Sequence, residues 1–135
     1  MKIKLDKGAY MPTRAHAADA GLDLYSPVYV IIPPRSSVTI DTGVHVELPH
    51  GTVGMVKSRS GLNMKGIQSE GVIDVGYTGS IRLKLYNHSL QTHYVCKGDK
   101  VSQLVILPIL TPELELVDEL DETERGDGGF GSTGR

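Results

Sequence analysis

A guanidinium, a hydroxyl and a glycine in direct succession can take hold of an oxyanion, and the chain places such a set at Ser58-Arg59-Ser60-Gly61-Leu62. Arginine offers a planar fork for phosphate oxygens. Ser60 adds a hydroxyl, Gly61 lets the backbone come close, and a helix beginning here would aim unpaired N–H groups at an anion. An ordinary serine cap on a short helix fits the same residues. The GxxxxGK[ST] spacing of a Walker A loop is absent. A second set runs from Gly71 through Val72, Ile73, Asp74, Val75, Gly76, Tyr77 and Thr78 to Gly79. It reads as a strand, a glycine-bearing turn and the start of another strand. A carboxylate after Val-Ile is unusual for a strand. Asp74 either orients and deprotonates a water as a general base or simply opens the turn. Tyr77 either lies against a sugar or rests half-buried on a sheet.

Three further places bear on chemistry. Asp23, in Ala20-Gly21-Leu22-Asp23-Leu24, stands beside a turn. It can hold a divalent ion through water, since Mg²⁺ keeps most of its waters and binds through one or two carboxylates plus substrate phosphates; a turn-forming role also fits. Gln103, in Lys97-Gly98-Asp99-Lys100-Val101-Ser102-Gln103-Leu104, is polar in an apolar run and needs a partner, internal or a ligand. The last ten residues hold five glycines together with Phe130, the only phenylalanine of the chain. Such a segment loses much entropy if ordered and is a natural frayed end. Yet Arg125, Phe130, Ser132 and Thr133 supply a charge clamp, an aromatic face and hydroxyls, on a backbone whose N–H groups can wrap phosphate. The segment therefore reads as a lid. The five histidines show no ligand spacing, and His45-Val46-Glu47 lacks the paired cysteines of a zinc deaminase.

These residues need a rigid frame, and the pattern predicts strands. Val44, Val46 and Leu48 alternate with polar residues over Thr42 to Leu48, as do Ile81, Leu83 and Leu85 over Ser80 to Asn87. Further strands are expected at Val28 to Ile32, Thr52 to Ser58, Lys100 to Leu107 and Glu113 to Val117. One short helical turn is expected around Gly61 to Lys65. Many short strands between glycine and proline turns predict an all-β fold, a distorted jelly roll or β-barrel. Residues 1–124 form the expected domain, and 125–135 a flexible glycine-rich arm belonging to it.

Composition narrows the class. The chain has 135 residues, a size for one domain, and its 39% apolar content fits a packed core rather than disorder. A formal net charge of −2 gives no electrostatic footing for a general nucleic-acid binder. No apolar run reaches membrane-spanning length, and the N-terminal residues hold no secretory h-region. A cytoplasmic protein is expected. The single cysteine, Cys96, excludes an intrachain disulfide and reads as a small hydrophobe in a strand.

Taken together, the five motifs, in order from Ala20 to Gly134, resemble those of the deoxyuridine triphosphatase (dUTPase) family, the arm Arg125 to Gly134 being the most specific. The resemblance implies Mg²⁺-dependent hydrolysis of dUTP to dUMP and pyrophosphate, which limits uracil in DNA and supplies dUMP for thymidylate synthesis. It implies that Asp74 activates the water attacking the α-phosphorus and that Tyr77 excludes a 2′-hydroxyl. Backbone groups of Gly71, Val72 and Ile73 would pair with uracil. Arg59, Ser60, Gly61 and Gln103 would bind the phosphate chain, and Asp23 would hold Mg²⁺ through water. Arg125 would clamp the triphosphate, Phe130 would stack on the base, and Gly131, Ser132 and Thr133 would wrap the γ-phosphate. It implies a homotrimer with shared sites, without nucleic acid or membrane. Gln68 lies where some members have an asparagine near the base, and Arg82 lies on the polar face of its strand, facing either substrate or solvent. Ser58 stands where a proline is common, and Val75-Gly76 replaces more acidic residues.

Two other functions differ in what they require. A dCTP deaminase resembles this fold and shares the Arg-Ser motif, but wants a glutamate acid/base in the strand after the hairpin. Ser80 to Asn87 holds no carboxylate. A regulatory protein using a nucleotide only as a switch is expected to carry a damaged catalytic set, whereas Asp74, Arg59, Ser60, Gln103 and Phe130 are all present.

Overall fold

Residues that alternate apolar and polar can bury one face only if they pair as strands, and this chain does so along most of its length. The computed structural model describes residues 1–134; Arg135, the end of the expected arm, lies outside them. In order come β1 (Lys2–Leu5), β2 (Gly21–Tyr25), β3 (Val30–Ile32), β4 (Ser37–Asp41), β5 (Val44–Glu47), β6 (Thr52–Lys57), α1 (Ser60–Asn63), β7 (Ile67–Ile73), β8 (Arg82–Asn87), β9 (His93–Val95) and β10 (Lys100–Pro108). A six-stranded sheet has the order β2-β10-β6-β7-β8-β4, beside two-stranded sheets β1-β5 and β3-β9. Every pair is antiparallel. Sequence-distant strands lie side by side, the crossing pattern of a jelly roll. The all-β expectation holds.

The core is the apolar side of these strands. In β8, Leu83 and Leu85 are buried while Arg82, Lys84 and Tyr86 face out. They meet Leu24, Ile32, Ile40, Val44, Ile67, Ile81, Val95 and Leu104, all buried in one cluster. Fully burying each such side chain contributes about 1.5–3 kcal/mol. Asn87 ends β8 on the inner side, 1% exposed, and its amide is fully used. Its Nδ2 donates to the carbonyls of Ile32 (2.9 Å), Pro33 (3.2 Å) and Gln91 (2.7 Å), and its Oδ1 accepts from the Ser89 amide (3.0 Å) and hydroxyl (2.7 Å). One side chain thus joins β3, β8 and the turn toward β9.

Several expectations are corrected. The strand expected at Glu113 to Val117 does not form: β10 ends at Pro108, and the chain beyond it holds no strand among the described residues. Alternation gives that segment an apolar face, but no strand among the described residues pairs with it, and a lone strand is unstable. Cys96 is exposed rather than packed in a strand. It follows β9 in a tight turn where its amide donates to the Asp99 carboxylate (2.8 Å) and Gly98 takes φ 88°. The helix is a single turn that starts one residue and ends two residues earlier than expected. Strands β1, β2, β4 and β9 were not foreseen. No helix among the described residues is long and apolar enough to cross a membrane.

Replacing Asn87 with Ala strands several buried backbone carbonyls at once. We expect a loss of about 2–4 kcal/mol in unfolding free energy, read from urea denaturation. A loss under about 0.5 kcal/mol, the scale of an ordinary surface change, would show that the amide does not join these elements.

Candidate active site

Arg59 is positioned by what comes just before it. Strand β6 ends at Lys57, and the Ser58 hydroxyl takes over its pairing with β7: it accepts from the Ser69 amide (2.8 Å) and donates to the Ser69 carbonyl (3.2 Å). The buried Ser69 and Ser102 hydroxyls share a hydrogen bond (2.8 Å), Ser102 also bonds the Lys57 carbonyl (2.9 Å), and Gln103 Nε2 donates to the Ser58 carbonyl (3.0 Å). Gln103 therefore has an internal partner. Gly21 is the residue that admits it: a Cβ there would overlap the Gln103 amide oxygen. Serines in apolar strands, each needing a partner once buried, were the signal for this clasp that the sequence reading passed over.

Beyond the clasp, Arg59 caps α1 in an extended conformation, and the turn is too short to raise an appreciable dipole. Its Nε donates to Asp23 Oδ1 (2.9 Å), so among the described residues the two terminal amino groups of its fork stay free. The other Asp23 oxygen pairs with Lys100 Nζ (2.8 Å). Asp23 is only 13% exposed, so the pair of cations beside it offsets its desolvation. The Asp23 hydrogen bond holds the Lys100 ammonium above its usual pKa of 10.5. Lys100, within the Lys97–Leu104 motif, was not singled out from sequence. Asp23, Arg59, Ser60, Gly61 and Gln103 line one cleft of about 600 Å³, with Gly21, Ala15, Ala20 and Asp19.

The hairpin forms a second part. Strand β7 pairs with β6 from Glu70 to Ile73, but with β8 only from Ile67 to Ser69. Past the Ser69–Leu85 pair the two strands part. Along Gly71 to Ile73 one backbone edge is left without a strand, with alternate N–H and C=O groups available. Asp74 lies just after the strand, exposed, and its carbonyl accepts from the Tyr77 amide (3.1 Å). Gly76 occupies the third position of this turn at φ 91°, a left-handed value that other residues adopt only with strain. The Tyr77 ring folds over Gly79, where a built Cβ would lie 2.5 Å from the phenol oxygen, and that hydroxyl donates to the Ser80 carbonyl (3.0 Å).

Other predicted residues lie elsewhere in the single chain. Gln68 accepts from His88 Nε2 (2.9 Å) in a depression with Glu70 and Tyr86. Arg82 pairs with Asp41 across β8 and β4 (3.5 Å). The Asp41 carboxyl is held below its usual pKa, first by the Ser80 hydroxyl and then by the Gly43 amide. Arg125 Nε donates to the carbonyl of its own loop at Gly128 (2.8 Å), and Phe130 is fully exposed. Among the described residues, the hydrogen bonds of the arm stay within residues 123–134.

The profile of the dUTPase family matches residues 7–134. The chain is 44% identical to the deoxyuridine 5′-triphosphate nucleotidohydrolase of Clostridioides difficile, over 97% of this chain and 94% of that one. Among solved structures it is similar to a mutant dUTPase of Staphylococcus bacteriophage 80alpha with dUpNHpp, with a TM-score of 0.94 and 34% identity over 99% of this chain and 98% of that one. It is also similar to a mutant dUTPase from phage phi11 of S. aureus, which coordinates a structural Mg(II) ion, with a TM-score of 0.83 and 33% identity over 90% and 98% of the two chains. A match running from ahead of Asp23 through the arm at this level of identity makes the chain a member of the dUTPase family.

Proposed function

We propose that the chain hydrolyses dUTP to dUMP and pyrophosphate, and the near-complete family match over residues 7–134 is the observation that carries this reading. The unpaired edge of Gly71 to Ile73 supports base selection. Uracil presents a donor between two acceptors, and a strand edge presents donors and acceptors in alternation. Cytosine reverses part of that pattern and leaves groups unpaired, which costs more than a pair contributes. Tyr77, fixed on Gly79 by its bond to Ser80, stands as a wall against a 2′-hydroxyl. The free amino groups of Arg59, with Ser60, Gly61 and Gln103, take the phosphate oxygens.

In the chemical step Asp74 accepts a proton from a water whose oxygen attacks the α-phosphorus. The bond from that phosphorus to the bridging oxygen breaks, and pyrophosphate leaves. Mg²⁺ fits Asp23 as a water-mediated partner. Among the described residues there is no cluster of three or more His, Cys, Asp or Glu to cage a metal, so an ion held here would rely on water and substrate phosphates for its ligands. When bound, the ion neutralises phosphate charge. Asp23 would orient its waters, while Arg59 and Lys100, one on each carboxylate oxygen, hold the side chain in place.

The assembly we infer is a homotrimer with shared sites. After β10, Leu110, Leu114, Leu116 and Leu120 are 92%, 98%, 101% and 87% exposed. So much leucine in water is a surface awaiting a partner. On a neighbour's sheet the Glu113 to Val117 alternation gains the partner that its own chain lacks. The arm then closes over a site with Arg125 on the phosphates, Phe130 on the base, and Gly131, Ser132 and Thr133 around the γ-phosphate. The dUMP formed serves thymidylate supply, and the removal of dUTP keeps uracil out of DNA.

Pyrophosphate release from dUTP, dCTP, dTTP and UTP, each with and without Mg²⁺, tests the reading. We expect release from dUTP alone, stimulated by Mg²⁺; comparable release from UTP or dCTP would overturn the selectivity argued for the hairpin. Asp74→Asn should lose at least about a hundredfold in kcat, the scale of general-base catalysis, while a non-hydrolysable dUTP analogue still binds in calorimetry. Parental turnover would remove Asp74 from the base role. Truncation after Glu124 should leave a folded protein by circular dichroism with turnover at least about tenfold lower; an unfolded product would make the arm structural.

A further inference from the structure

The hairpin bearing Asp74 and Tyr77 is tied down on its far side by groups that the reaction does not use. His45 on β5, its side chain 18% exposed, places Nδ1 2.8 Å from the Thr78 carbonyl oxygen and Nε2 3.1 Å from the Asp6 carboxylate. Both partners only accept hydrogen bonds. A neutral imidazole has one N–H and one lone pair and can satisfy one of them; the imidazolium donates to both. Thr78 follows Tyr77 directly, and the next residues carry the remaining ties: Gly79 under the tyrosine ring, and Ser80 accepting from its hydroxyl and donating to Asp41. The hairpin therefore has two anchors, His45 and Asp41, on β5 and β4.

We propose that His45, as the imidazolium, is a positioning residue for the reaction: by donating to the Thr78 carbonyl and the Asp6 carboxylate together, it fixes the turn that presents Asp74 and Tyr77. This rests on the assignment of those two residues to dUTP hydrolysis. The charged groups facing the ring are Asp6 and Lys4 from the β1 end and Asp41 from β4; Lys2 and Glu47, ion-paired at 3.0 Å, line the same depression. The Asp6 hydrogen bond first, and the Thr78 carbonyl second, hold the ring above its usual pKa of 6.5, against desolvation and Lys4. A group whose pKa is raised by folding stabilises the fold fully below its unfolded value. That contribution is lost as pH climbs through the raised value. The hairpin is thus firm at and below 6.5 and loosens as pH rises beyond it.

The test reads the hairpin apart from turnover. In the full chain, the His45 ring and the Val75 to Ser80 amides are followed by NMR from about pH 5 to about pH 9, bracketing histidine titration. Parent, Asp6→Asn and His45→Gln are compared, and kcat/KM for dUTP is taken over the same range. In the parent we expect a His45 midpoint above 6.5, hairpin amides that shift with it, and kcat/KM falling about tenfold through it, as loss of one charge-assisted hydrogen bond would produce. Asp6→Asn keeps an acceptor without its charge, so all three midpoints should move down together. His45→Gln should show a low kcat/KM with no inflection in this range. A His45 midpoint at or below 6.5, amides indifferent to it, or the parental inflection surviving in His45→Gln would overturn the proposal. Failure of the underlying reading has a different signature: parental turnover in Asp74→Asn, with the hairpin amides still following His45.

Discussion

The Ser58 hydroxyl stands in for a strand. At the point where β6 leaves the sheet, it gives the Ser69 amide an acceptor and the Ser69 carbonyl a donor, the two bonds a continuing neighbour would have made. Without it, Ser69, 1% exposed, would leave backbone groups unpaired in the core, at about 1–3 kcal/mol each. With it, β6 can stop at Lys57 and release Arg59 into the cleft. The same place is where β7 changes partner, holding β8 up to Ser69 and β6 from Glu70 onward. Both parts of the site follow from one hand-over: the arginine at the end of one strand and the open backbone edge on the next. The Ser69–Ser102 bond brings β10 into the arrangement, and Gln103, the next residue on β10, holds the Ser58 carbonyl.

The charges are ordered by the same economy of partners. Asp23 is mostly buried and lies between two cations. A carboxylate in that position would be costly alone, and so would a cleft of bare cations with no counter-charge. The arrangement keeps Arg59 oriented through Nε, so in the proposed phosphate-binding role the rest of its fork would lose little freedom when a substrate arrives. Preorganised donors of this kind need not reorganise as charge develops on a transferring phosphoryl group.

What could be read from sequence follows the range of the forces involved. Strands β5 and β8 were legible because alternation is local: Val44 and Val46, Leu83 and Leu85 mark a buried face whatever their partners. The chemistry-bearing runs were legible because Arg59, Ser60 and Gly61, or Gly71 to Tyr77, are contiguous. Strand β9 escaped because three residues carry almost no period, and β4 because Ser37 to Asp41 alternates Val38 and Ile40 among residues that read equally well as a loop. Glu113 to Val117 shows the converse. Its alternation is genuine, but a strand is a relation between two segments, and its own chain lacks the second. Lys100 and His45 escaped for another reason: each acts on a residue distant in sequence, 77 positions away for Asp23 and 33 for Thr78, and no spacing encodes that.

The glycine-rich arm completes the logic of the proposed reaction. Ordering backbone costs roughly 1–2 kcal/mol per residue, and glycine loses the most. A charge-assisted hydrogen bond returns roughly 1.5–3 kcal/mol, and a base stacked on an aromatic ring roughly 1–3 kcal/mol. Closing Arg125 to Thr133 therefore needs most of its contacts at once. In the proposed site, a ligand with a base for Phe130 and a full phosphate chain for Arg125 and the glycine amides would supply them. Once the bond at the α-phosphorus breaks, those contacts are divided between two molecules: dUMP keeps the base but not the distal phosphates, and pyrophosphate the reverse. On the proposed roles neither product could hold the arm closed, so cleavage itself would weaken the lid and open the way for release. Fewer glycines would lower the cost of closure, but they would also let the arm stay shut on the products.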